Sequence, residues 1–186
     1  MFIQTEATPN PATLKFLPGR DVAPGQPLEF SSRDDAGRSQ LAAALFQVDG
    51  VSRVMFGADF ISVTKGAGEW QHIKPAVLGA IMEHFMSGWP LLAETGAPPN
   101  GAEDEFYEQE HAEIVDAIKE LLESRIRPAV AGDGGDITFR GFRDGVVYLT
   151  MKGACSGCPS STATLKHGIE NLLRHYVPEV EAVEQM

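Results

Sequence analysis

The only thiols in the 186-residue chain are Cys155 and Cys158, three positions apart in Lys152-Gly153-Ala154-Cys155-Ser156-Gly157-Cys158-Pro159. This spacing puts two sulfurs close enough to grip one metal ion or one edge of a cluster. Gly153 and Gly157 permit the tight backbone that turns both side chains to one side. A helix pattern begins at Pro159. The helix N-terminus, helped by the positive charge of Lys152, is therefore expected to stabilise thiolates and lower their pKa. Thiolates are what soft metals and iron–sulfur clusters bind.

Several chemistries remain open to such a pair beside an incidental buried one. Thioredoxin-like redox exchange expects a parallel sheet and a cis-proline opposite the cysteines. Here the preceding strands read as a hairpin, and beyond Pro159 at the helix start the only later proline is Pro178, at a helix stop. A structural zinc or a [4Fe–4S] cluster wants four ligands. No second cysteine pair exists. His167 lies nine residues along the helix, about 13 Å from Cys158 at the usual rise per residue, and His175 lies farther. The economical solution is two chains, each giving Cys155 and Cys158, with the cluster on the dyad of a homodimer. A cluster held between subunits is easily passed on, which suits delivery better than storage.

Other residues carry less. Asp133-Gly134-Gly135-Asp136, within a Gly-rich loop Ala131 to Asp136, lacks the spacing of a P-loop or an EF-hand and reads as a tight turn. His72, His84, His111, His167 and His175 show no spacing that meets on one face with a carboxylate, so they read as structural or solvated. Ser160 and Ser161 have no base to make them nucleophiles. With Thr162 they are expected to bond the free N–H groups of the helix start. Trp70, Phe85 and Trp89 read as core or domain-packing residues. The acidic run Glu103 to Glu123 reads as a solvated helix face.

The elements that position the cysteines follow from pattern. Tyr107, His111, Ile114, Ile118, Leu121 and Leu122 form one helical stripe, and Pro128 ends that helix or begins a new turn. Ile137 to Phe142 alternates as a strand, Asp144-Gly145 is a hairpin turn, and Val146 to Met151 pairs back. Behind the cysteines a helix runs from Pro159 with Leu165, Ile169, Leu172, Leu173 and Tyr176 on its apolar face, stopped by Pro178. Val180 to Val183 adds a last strand. The order is α-β-β-α-β over 106–186.

Residues 1–92 read as a second small unit, three or more strands covered by two helices. Strands are expected at Phe2 to Glu6, Thr13 to Leu17 and Leu28 to Ser31, with a hairpin of Val51 to Phe56 and Phe60 to Thr64. Ser39 caps a helix Gln40 to Phe46. Ile73 to Met86 is an amphipathic helix in which Pro75 is tolerable only in the first turn. Residues 93–105, Pro- and Gly-rich and then acidic, read as a linker. The whole is α+β: two small domains joined by that linker.

Composition narrows the functions. The formal net charge of −11 and pI near 4.8 argue against non-specific nucleic-acid binding and against docking on an anionic membrane. No apolar run is long enough to span a bilayer. The start lacks signal and transit patterns, so the expected location is cytoplasmic, with the mitochondrial matrix as the alternative for a processed chain. In a reducing compartment a lone cysteine pair is metal-binding or redox-active.

Two long strings resemble a known family. Phe139 to Leu173, with MKGACSGCPSSTATLKHGIE and preceded by IRPAVAGDGGDI, resembles the NifU-like C-terminal domain of Nfu proteins. FIQTEATPNPATLKFLPG, Phe2 to Gly19, resembles the start of the Nfu N-terminal domain. The resemblance implies a non-enzymatic iron–sulfur cluster carrier. Such a protein holds a [4Fe–4S] cluster between two subunits, receives it from upstream assembly proteins and hands it to apo-proteins. Cys155 and Cys158 occupy the family's ligand positions. The start at Met1 looks bacterial rather than organellar.

Overall fold

The computed structural model describes residues 1–24, 27–92, 105–155 and 159–186, the last stretch without the side chains of 159–161. The chain divides into two compact units, Met1–Pro99 and Asn100–Met186. Each combines helices with its own sheet, so the class is α+β. The expected linker 93–105 falls, except for Glu105, outside the described residues.

In the first unit five strands, β1 (Gln4–Ala7), β2 (Thr13–Leu17), β3 (Leu28–Phe30), β4 (Val51–Phe56) and β5 (Ile61–Lys65), form one antiparallel sheet in the order β1-β2-β5-β4-β3. Period-2 alternation sends Phe16, Phe30, Val54, Phe56, Ile61 and Val63 to one face. There they join Leu41 and Leu45 from α2 (Gln40–Phe46) and Ile73, Val77 and Ile81 from α3 (Trp70–Ser87) in a single core. Ser39 caps α2 as expected, accepting from the Ala42 N–H at 3.3 Å.

The sequence pattern missed α1 (Arg33–Ala36), a single turn capped by Ser32 and too short to show a period. Nor did it find the true start of α3. Trp70 begins that helix and donates its indole N–H to the Pro11 carbonyl at 3.2 Å. Pro75 therefore sits in the second turn, where it leaves the Gln71 carbonyl without its helical donor. Tertiary anchoring of Trp70 overrides the local preference. Trp89, expected in a core, is 54% exposed.

The second unit opens with one continuous helical run. A 3-10 turn, Gln109–His111, leads into α4 (Ala112–Leu121), a π-type stretch Leu122–Ile126, and α5 (Arg127–Gly132). The wider π turn lets Pro128 enter the first turn of α5, where its missing N–H costs little. The buried stripe is Val115, Ile118, Leu122, Ile126 and Val130. Tyr107, expected on that stripe, precedes the helix and is exposed.

Strands β6 (Gly135–Arg143) and β7 (Val146–Gly153) pair antiparallel, and β8 (Ala182–Gln185) pairs parallel with β7, giving the order β6-β7-β8. The Asp144-Gly145 turn has φ of 52° and 76°, as a type I′ hairpin requires. The crossover between β7 and β8 is α6 (Pro159–Tyr176). Its Ile169 and Leu173 are buried, while Tyr176, expected on the apolar face, is 50% exposed. The expected Ala131–Asp136 loop is largely absent. Ala131 and Gly132 close α5, and Gly135 and Asp136 open β6, leaving only Asp133-Gly134 as a turn. No described helix is long and apolar enough to cross a membrane.

Candidate metal centre

β7 is the central strand of its sheet and ends at Gly153, whose φ of 68° turns the chain toward Cys155. The thiol that follows is not displayed to solvent. Cys155 is only 5% exposed and belongs to the core of its unit. Its Sγ rests against the backbone of Gly135 at the opposite strand end. A Cβ added there would lie 2.5 Å from that sulfur and 2.8 Å from the Lys152 carbonyl oxygen. Gly135 faces Gly153, and Asp136 faces Lys152, in the β6–β7 register.

Two hydrogen bonds fix the backbone around the thiol. The Ala154 N–H donates to the Gly134 carbonyl at 3.2 Å. The Thr162 hydroxyl, from the first turn of α6, donates to the Cys155 carbonyl at 2.9 Å. Thr162 thus ties the start of α6 to the cysteine loop through its hydroxyl proton. Cys158, the other expected ligand, lies outside the described residues, as do the side chains of Ser160 and Ser161.

The electrostatics of Cys155 reverse the expectation. Burial pushes its thiol up to about 12, and the negative charges of Asp133 and Asp136 add to the rise. A helix N-terminus and a lysine favour a thiolate in partly solvated surroundings. In a core, the desolvation penalty for a bare sulfur anion is larger than both. The isolated chain therefore keeps Cys155 as a thiol, and a metal must displace its proton.

Beneath this site lies an ion pair that no sequence pattern flagged. Arg127, at the start of α5, reaches the buried Asp136 with Nε to Oδ1 at 3.0 Å and Nη2 to Oδ2 at 3.3 Å. Burial alone would lower the guanidinium pKa. Hydrogen bonds and charges from Asp136 and Glu123 outweigh it and hold the pKa raised. The nine-residue gap between Arg127 and Asp136 has no helical or strand period, which is why the pair was illegible.

The histidines are distributed. His72, His167 and His175 are exposed. His84 is buried on α3, and its Nδ1 has no hydrogen-bond partner among the described residues. His111 is the exception to the sequence reading, since Glu108, Glu110 and His111 each bring one ligand atom within 4.8 Å of the others. A Glu-x-Glu-His run was the available signal. Among the described residues, no His, Asp or Glu group converges with Cys155 as a ligand set.

As a sulfur donor, the site fits a soft metal. Cys155 is a free thiol just past a strand end with its backbone tied down, and among the described residues it belongs to no cluster of three or more His, Cys, Asp or Glu ligand atoms.

Comparison with known proteins adds to this geometry. The family model described as "Scaffold protein Nfu/NifU N terminal" matches residues 3–88, and "NifU-like domain" matches residues 118–184. The human "NFU1 iron-sulfur cluster scaffold homolog, mitochondrial" is 50% identical over 188 residues, covering 100% of this chain and 72% of that protein. "NifU-like protein 4, mitochondrial" of Arabidopsis thaliana is also 50% identical over 188 residues, covering 100% of this chain and 66% of that protein. The solution structure of a NifU-like protein from Saccharomyces cerevisiae aligns with a TM-score of 0.44 at 24% identity, over 50% of this chain and 86% of that one.

Proposed function

Because the chain belongs to the Nfu/NifU family of iron–sulfur cluster scaffold proteins, we propose that it is a non-catalytic carrier. It binds a [4Fe–4S] cluster between two subunits through Cys155 and Cys158 and passes it to apo-proteins. The observation that carries this reading is the ligand count. One chain offers two sulfurs, and among the described residues nothing else converges on Cys155. A four-ligand cluster then needs a second copy.

The cluster is cargo. Loading replaces the Cys155 S–H bond by an S–Fe bond, and the proton goes to solvent. Delivery is ligand exchange, in which thiolates of the recipient replace those of the carrier. Uptake is therefore favoured as pH rises. The second domain, 106–186, holds the cluster. The first, 1–92, serves recipient recognition or stability, and 93–105 links them. The mitochondrial names of the relatives support the matrix as the location and lend none to the bacterial cytoplasm.

The test is anaerobic reconstitution with iron and sulfide, read by visible absorbance and native mass. The expected product is a brown dimer with about four irons per two chains. Both Cys155→Ala and Cys158→Ala should abolish it. A colourless monomer would overturn the carrier reading, and turnover in a disulfide-reduction assay would favour a dithiol oxidoreductase.

A further inference from the structure

We propose that Gly135 is a positioning residue for cluster binding: the space left by its missing side chain is the seat of the Cys155 sulfur. The Arg127–Asp136 ion pair holds that seat in place. The functional half of this proposal rests on the carrier reading, but the seat itself does not.

Three observations carry it. First, a Cβ at position 135 would stand 2.5 Å from Cys155 Sγ and 3.1 Å from Cys155 Cβ. Carbon and sulfur in contact need well over 3 Å, so any side chain there evicts the thiol. Second, Gly135 has no left-handed φ, unlike its neighbour Gly134 at 77°. Backbone strain therefore does not demand glycine at 135, and the sulfur and the Lys152 carbonyl are what occupy the space. Third, the next residue is clamped. Asp136 is 5% exposed and takes two hydrogen bonds from Arg127, which ties the first residues of β6 to the start of α5. On the opposite side, the Thr162 hydroxyl and the Ala154 N–H tie the cysteine backbone to α6 and to Gly134. The sulfur is thus located from both sides before any iron arrives, which lowers the ordering cost of building a site from two chains.

The test uses the full-length chain. In a Cys158→Ser background, so that one thiol remains, iodoacetamide labelling of Cys155 is measured at fixed pH with and without Gly135→Ala. Eviction should raise the labelling rate at least tenfold while the far-UV circular dichroism is unchanged. Gly132→Ala, three residues away where an added Cβ meets nothing within 4 Å, should leave the rate as it was. In the two-cysteine protein, Gly135→Ala should cut iron uptake at least fivefold and Gly132→Ala should not.

If Gly135→Ala unfolds the second unit, a cycle with Cys155→Ala decides. The loss of hydrogen-exchange protection in β6 and β7 caused by Gly135→Ala should be smaller when the sulfur is absent. Equal losses in both backgrounds, or an unchanged labelling rate in a folded variant, would overturn the seat. Faster labelling in a protein whose unaltered form takes up no iron would keep the seat and sink the carrier reading.

Discussion

Removing Arg127 tests how much the second unit depends on one buried carboxylate. Arg127→Met keeps most of the aliphatic stem and deletes the guanidinium. Asp136, whose side chain is 7% exposed, then loses both hydrogen bonds from the side chain 3.0 Å away. Breaking a buried ion pair from one side costs about 3–5 kcal/mol, because the remaining charge stays out of water. The Arg127 side chain is 27% exposed, so the lower end applies. The exposed Glu123 loses a partner too, worth a few tenths of a kcal/mol. The expected loss is about 3 kcal/mol, or roughly a hundredfold in opening.

Hydrogen exchange of peptides from β6 and β7 measures this loss. Trp70 and Trp89 both lie in the first unit, so tryptophan fluorescence during urea unfolding serves as an internal control that should not move. Asp136→Asn in the Arg127→Met background should recover at least about 1 kcal/mol by removing the stranded charge. A loss below about 1 kcal/mol, or strict additivity of the two substitutions, would refute the claim that the pair is buried and coupled.

Four other outcomes follow from the same structure. In the Cys158→Ser protein, labelling of Cys155 should rise about tenfold per pH unit well above pH 9, since its thiol is held near 12; a plateau by pH 9 would contradict burial. The same shift stabilises the fold below the unfolded thiol pKa of about 9, and that stability is lost as pH climbs from 9 toward 12. His84 has its pKa lowered by burial, so the unfolded chain binds the proton first, and stability of the first unit should fall as pH drops below about 6.5. His84→Leu should flatten that acid limb in a tryptophan-detected titration. Gly50→Ala should destabilise the first unit by at least about 2 kcal/mol in urea, because its φ is 98° and its Cβ would stand 2.5 Å from the Ala67 carbonyl oxygen.

Local pattern determined a good deal. Alternation in Thr13–Leu17, Val51–Phe56 and Ile137–Phe142, the cap at Ser39 and the Asp144-Gly145 turn place strands, a helix start and a hairpin correctly. Each signal lies within a few residues of what it specifies. The Cys-x-x-Cys spacing and the strings around it gave the family, which whole-chain comparison shows. Pro75 lies deeper in its helix than local propensity allows because a long-range contact, the Trp70–Pro11 bond, starts that helix early, whereas Pro128 begins a new turn as its sequence suggests.

What only the tertiary structure decided concerns the environment of the thiol. Sequence shows Cys155 before a helix and beside Lys152, which argues for a thiolate. Folding packs it at 5% exposure against Gly135, near Asp133 and Asp136, and the thiol keeps its proton. The residues that do this are 19 to 22 positions away in sequence and meet Cys155 only because β6 pairs with β7. Residue type and spacing identify a ligand; desolvation, which depends on everything packed around the atom, sets its charge.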